Sequence, residues 1–354
     1  MPLTFYNTQE LIQVQQRLAD LPDGFWRNMA TRTITSDREE ILFERADIDN
    51  RKLAPFVAPN VQGRVMRGQG YAAQSFRPAY VKPKHVVDPT KAISRMMGEP
   101  ILGGMSLEAR FNAHIVNNLR LEREAIERRW DWMASKAIQD GQVTVAGDDY
   151  PSVTVSFGRD PQLTRQLTGA ARWSQTGTAD PLGDLAALND LCFTLGNAPI
   201  TRFIFGATAW GNFIKNPAVL NLLDATRRIG SSEFPTIPLI ANSNSQSMGA
   251  IITTGGRFDL YRYSNWYSDV DSNNGNLTTR QFLDPTVVVG VGPAIDMVAM
   301  YGAIMDADAN FTVEQPIFPK MWKNMDPSVV YTMSQSAPLF VPLNPNDSFK
   351  LTTE

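Results

Sequence analysis

The longest regular pattern in the chain runs from Ser106 to Gly141. Within it Leu107, Phe111, Ile115, Leu119, Ile126, Trp130, Met133 and Ala137 recur at spacings of three, four or seven, the repeat of one helical face. Ser106 can accept from the free amides of the first turn, Glu108 suits the positive end of the helix dipole, and Gly141 can close the last turn in the left-handed conformation. At about 1.5 Å per residue such a helix is roughly 50 Å long, more than a compact domain usually spans, which predicts a spine with other pieces attached. The opposite face carries Arg120, Glu122, Arg123, Glu124, Glu127, Arg128, Arg129 and Asp131. It reads as a solvated face or as one that meets other subunits, with Glu124 and Arg128 a favourable pair four apart.

Before the spine, residues 7–19 predict a short amphipathic helix opened by Asn7 and Glu10 at capping-box spacing. Residues 21–50 show no strong period and read as an extended arm that must bury its few apolar side chains on something else. Residues 53–100 hold Pro55, Pro59, Pro78, Pro83, Pro89 and Pro100. That density excludes a helix or a central strand and predicts a long protruding loop with extended arms. After the spine, Val143 and Val145, then Val153, Val155 and Phe157, alternate around turn residues and predict a hairpin. Residues 159–180 read as an irregular crossing around Trp173. Beyond it come a helix over 182–195, a buried strand over 202–205, helix over 210–223 interrupted at Pro217, and strands over 258–267 and 286–291. This alternation suggests a compact domain of mixed helices and strands. An apolar helix or buried segment is expected over 294–305, and strands over 329–343 and 349–353 that return to the hairpin after the spine.

At 354 residues with 43% hydrophobic content, the chain is long enough for two or three domains with real cores. A net charge of −3 argues against a uniformly basic, nucleic-acid-binding surface. The lone Cys192 cannot form an internal disulfide. The opening lacks a basic and apolar leader pattern, and no stretch reaches the run of about 18 apolar residues that a membrane helix needs. Charge is uneven locally. In the proline-rich loop Arg64, Arg67, Arg77, Lys82 and Lys84 have few acids nearby in sequence, which suggests complementarity to an acidic protein surface. Catalytic patterns are weak: GxSxG, HExxH and GxxxxGK do not occur, and only His85 and His114 are present. Gly290 and Gly292 give a fragment of a dinucleotide fingerprint. Asp269, Asp271 and Asn273 mimic a calcium loop but lack its glycine and bidentate acid, so a hairpin tip is expected. No catalytic, cofactor or metal residue is assigned.

Residues 56–89, FVAPNVQGRVMRGQGYAAQSFRPAYVKPKHVVDP, resemble the corresponding stretch of the lambda E family of tailed-phage major capsid proteins. The likeness continues through the spine, Phe157-Gly158-Arg159, Trp173-Ser174, Asp180-Pro181, Tyr301-Gly302, Asp306 to Ala309, Phe318-Pro319-Lys320 with Trp322, Asp326-Pro327 and Gln335 to Leu339; residues 242–275 correspond least. The resemblance implies an α+β, Hong Kong 97-like capsid fold. Its parts would be an N-terminal arm (1–50), an extended loop or E-loop (51–100), a peripheral domain with the spine helix (101–180), an axial domain (181–320), and C-terminal strands returning to the peripheral domain (321–354). It also implies a non-enzymatic shell subunit of the virion, made in the host cytoplasm and assembling as hexamers and pentamers around double-stranded DNA. Partners would be a scaffold protein, a portal and a decoration protein, with no membrane. Some members of the wider fold cross-link lysine to asparagine, but no cross-linking residue is assigned here. The same fold also serves cellular nanocompartments, the rival reading. Arg64, Arg67, Arg77, Lys82 and Lys84 of the loop, with Glu122, Glu124 and Glu127 of the spine, are the expected contacts between subunits.

Overall fold

The computed structural model describes residues 6–18, 24–46, 56, 59, 62, 71–87, 104–147, 150–196, 198–228, 245–253, 256–270, 277–307, 315–326 and 328–354. In chain order the elements are α1 (Thr8–Arg17), β1 (Ala30–Thr35), β2 (Ile41–Ala46), β3 (Tyr71–Phe76), β4 (Lys84–Val87), α2 (Leu107–Asp140), β5 (Gln142–Gly147), β6 (Tyr150–Ser156), β7 (Thr164–Gln166), α3 (Pro181–Leu195), β8 (Arg202–Phe205), α4 (Ala207–Lys215) and α5 (Pro217–Arg228). They continue with β9 (Ser245–Thr253), β10 (Gly256–Tyr263), β11 (Trp266–Val270), β12 (Leu277–Gln281), β13 (Val287–Val291), β14 (Met297–Tyr301), β15 (Phe318–Asn324), β16 (Val329–Gln335), β17 (Pro338–Pro342) and β18 (Ser348–Thr352). The chain divides into two units. The first comprises residues 1–41, 77–134 and 299–340; the second comprises 42–76, 135–298 and 341–354.

The spine α2 is one 34-residue helix with both expected ends. At its start the Ala109 amide donates to Ser106 Oγ at 3.1 Å, and at its end Gly141 takes φ +63°. In the first unit Phe111, Ile115 and Leu119 pack with Leu11 of α1, Val87 of β4 and Val330 of β16 into one buried cluster. Helix α1 has the capping box of Asn7 and Glu10. β4 forms the edge of the three-stranded sheet β15-β16-β4, a place where a proline-rich segment can supply a strand. In residues 24–46 the apolar side chains Trp26, Ile41 and Phe43 are buried within the same chain.

The second unit is built on the mixed sheet β7-β18-β13-β8-β10-β9. Its core is aromatic. Phe203 lies 4.8 Å from Phe258 and 5.9 Å from Phe349 between ring centres, and Trp173 lies 5.8 Å from Phe213. Gly290 on β13 lies directly under the Phe349 ring, so packing rather than a phosphate explains that glycine. Cys192 is fully buried in this core, and burial pushes its thiol up to about 12, which removes it as a nucleophile.

Of the two alternatives for 294–305 the buried segment is the one found, with Met297–Tyr301 forming the fully buried strand β14. One expectation is corrected here. The final strand β18 does not return to the hairpin β5–β6; it pairs antiparallel with β13 and parallel with β7, because Phe349 and Leu351 fill the aromatic core. Residues 341–354 therefore belong with the six-stranded sheet, whereas β16 remains with the spine's first unit.

Candidate functional site

The polar side of the spine within the first unit is a buried seam. Glu122 is 0% exposed. Its carboxylate accepts from Thr332 Oγ1 and Ser334 Oγ, each at 2.7 Å, and meets His85 Nδ1 at 3.3 Å. Ser334 in turn accepts from Gln15 Nε2 at 2.8 Å, so one carboxylate gathers α1, β4 and β16. Burial pushes the Glu122 carboxyl above the ordinary glutamate range, and the bonds from Thr332, Ser334 and His85 pull it back in part.

One turn further along, Glu127 takes two arginines. Arg123 Nε donates to Oε1 at 2.7 Å, and Arg27 Nη1 reaches Oε2 at 2.9 Å. Arg123 also donates to the Gln15 carbonyl, and the amides of Trp26 and Arg27 donate to Asp131 Oδ1 at 2.8 and 2.9 Å. Trp130 completes the seam. Its Nε1 donates to Ser336 Oγ at 3.2 Å and its ring lies 5.0 Å from Tyr301. A cavity of about 590 Å³ opens beside these groups, lined among others by Gln15, Arg27, Arg123, Glu127 and Trp130.

The described end of the proline-rich segment is stitched to the same unit. Val81 and Ser336 exchange amide bonds at 2.8 and 3.0 Å, and the Tyr80 hydroxyl donates to the Ala303 carbonyl at 3.1 Å. Residues 80 and 81 are thus fastened to the first unit. The motif residues of the resemblance act as fasteners throughout. Arg159 donates to the Ile138 and Gln139 carbonyls at 2.8 and 2.7 Å, capping the end of α2. Trp173 Nε1 donates to Asp184 at 2.9 Å, and Asp180 caps α3 ahead of Pro181.

A family model described as phage major capsid protein E matches residues 7–353. The chain belongs to that family. The major capsid protein of Escherichia phage lambda is 30% identical over 308 residues, 83% of this chain and 84% of the relative. That of Enterobacteria phage P21 is 27% identical over 347 residues, 97% of each chain. The crystal structure of a prophage capsid protein from E. coli CFT073 matches with a TM-score of 0.71 at 22% identity, covering 98% of this chain and 99% of that one. The fold is accordingly the α+β, Hong Kong 97-like capsid fold. The capsid protein is a structural component of the phage head and of the virion.

In the capsid protein the residues expected at subunit contacts fall into three groups. Glu122 and Glu127 are corrected: they are buried and bonded within their own chain, because this part of the spine's charged face is covered by α1, residues 26–27 and β16. Glu124 stays on the surface side, between Arg120 at 2.9 Å and Arg128 at 3.6 Å. Arg77 is exposed and pairs with Glu39, Lys82 lies over the Tyr80 ring, and Lys84 sits 3.8 Å above the Tyr331 ring centre. Arg64 and Arg67 lie outside the described residues, as do Asp148 and Asp149. The residues that sequence reasoning misses are Gln15, Arg27, Thr332, Ser334 and Ser336. Their signal is the alternation Val330, Thr332, Ser334, Ser336, a strand face that offers hydroxyls where apolar side chains are usual.

Proposed function

We propose that copies of this chain assemble as hexamers and pentamers into an icosahedral head shell around double-stranded DNA, held without sequence-specific binding. A scaffold protein, a portal and a decoration protein are the partners that accompany this reading. What carries it is the family match over nearly the whole chain. The subunit's internal organisation agrees: among the described residues the network around Glu122 and Glu127 fastens α1, residues 26–27, β4 and β16 to the spine. The role is architectural, and no catalysis is assigned. Contacts between subunits then fall to the outward groups, with the basic loop residues Arg64, Arg67, Arg77 and Lys82 meeting acids such as Glu124 of a neighbour. Electron microscopy of the purified, assembled chain, with an assay for nuclease-protected DNA in particles from infected cells, tests the proposal. Closed shells holding DNA are expected. Shells filled with protein cargo would favour the nanocompartment, and an absence of closed particles would overturn the reading.

A further inference from the structure

The six-stranded sheet ends in two edges of different kinds. At one edge β7 is only three residues long and has Arg165 at its centre. At the other, β9 runs for nine residues, Ser245–Thr253, with no charged residue and no proline. Natural sheets shorten, charge or kink such edges, because a row of free amides and carbonyls recruits another strand. β9 has one such device, a register shift between Leu260 and Tyr261 that leaves Met248 without an opposite partner. Past that point Gly249, Ala250, Ile251, Ile252 and Thr253 run in unbroken register with Leu260, Asp259, Phe258, Arg257 and Gly256. Ile251 turns into the core, while Ile252 is 63% exposed. Among the described residues, β10 is the only strand paired with β9.

We propose that residues 249–253 pair through their backbone with a second copy of this chain when the shell assembles. The inference rests on the capsid reading given above. A copy is the fitting occupant for two reasons. Copies are what a major capsid protein meets at the highest concentration, and strand addition draws its affinity from main-chain bonds, which suits a strand with no charge to offer. Subunits arranged in rings meet head to tail, so the edge meets a different surface of the neighbour rather than its own counterpart.

The test is hydrogen exchange at residues 249–253 in free subunits and in shells verified by electron microscopy, alongside the Ile252→Lys variant. In the free subunit the amides that point away from β10 should exchange freely, and in shells they should slow by about tenfold or more. Ile252→Lys should melt like the parent while its shell yield falls several-fold, since a lysine at an edge opposes strand addition. Closed shells in which these amides exchange as fast as in free subunits would overturn the pairing and leave the capsid reading intact. Protection already present in the free subunit would also overturn it, since the chain's own residues would then cover the edge. If the parent chain forms no closed shells at all, the capsid reading fails first and the pairing falls with it.

Discussion

Arg27 and Glu127 are joined at 2.9 Å, a residue ahead of β1 held by a residue of the spine, and Arg123 holds the other oxygen of the same carboxylate. With Glu127 only 2% exposed, removing it leaves two largely covered guanidinium groups facing each other. Glu127→Ala should destabilise the free subunit by roughly 3 kcal/mol, the low end for breaking a buried ion pair, because the arginines retain some solvent. Arg27→Ala combined with Glu127→Ala should be less damaging than the sum of the two. Denaturant melts of the four proteins in the cycle give the comparison, and strict additivity would show that the pair is not coupled.

Trp130 is buried between Tyr301 and Ser336. Trp130→Ala should reduce subunit stability by roughly 3 to 5 kcal/mol, the range for emptying a large aromatic site in a core. A melting curve like that of the parent would remove this ring from the core.

Glu122 links stability to pH. Its folded carboxyl binds a proton more tightly than the unfolded chain does, because burial outweighs the bonds from Thr332, Ser334 and His85. Its contribution is therefore fully present below the ordinary glutamate value and is lost as pH rises through the folded value, after which it is flat. The stability difference between the parent and Glu122→Gln should fall with rising pH across that window, by at most about 1.4 kcal/mol per pH unit. Chemical melts of both proteins at several pH values would reveal it. A constant difference would mean that burial does not perturb this group.

Loop charge should act on assembly rather than on folding. Replacing Arg64 and Arg67 together by Ala should leave subunit melting unchanged, lower shell yield and weaken its salt dependence, since each exposed pair contributes about 0 to 1 kcal/mol but a closed shell repeats it. Normal yield with unchanged salt dependence would rule out the contact. A lower melting point without an assembly defect would place these arginines in the subunit's own fold.

The spine and its ends are legible in sequence because the cues are local: a serine at the start, a glycine at the close and an apolar period between them. The seam is harder to read. Glu122 stands three residues after Leu119 and four before Ile126, where the apolar stripe calls for a member, so the gap itself marks a carboxylate that points inward. Its partners His85, Thr332 and Ser334 lie far away in the chain, and even the hydroxyl alternation of β16 does not say which carboxylate it meets. The position of β18 is illegible for a similar reason. Phe349 and Leu351 alternate as any half-buried strand would, and only the shape of the aromatic core selects β13 over the hairpin.

The bond between Ser334 and Glu122 spans 212 positions of the chain. At about 5 to 20 residues per second of synthesis, roughly ten to forty seconds separate the emergence of the carboxylate from that of the hydroxyl that satisfies it. During that interval the nascent chain has its spine together with α1 and β4 but not β16, so the seam around Glu122 closes only after most of these residues have been made. A messenger broken before the codon for Thr332 would thus yield a fragment with an unsated carboxylate in place of a finished building block.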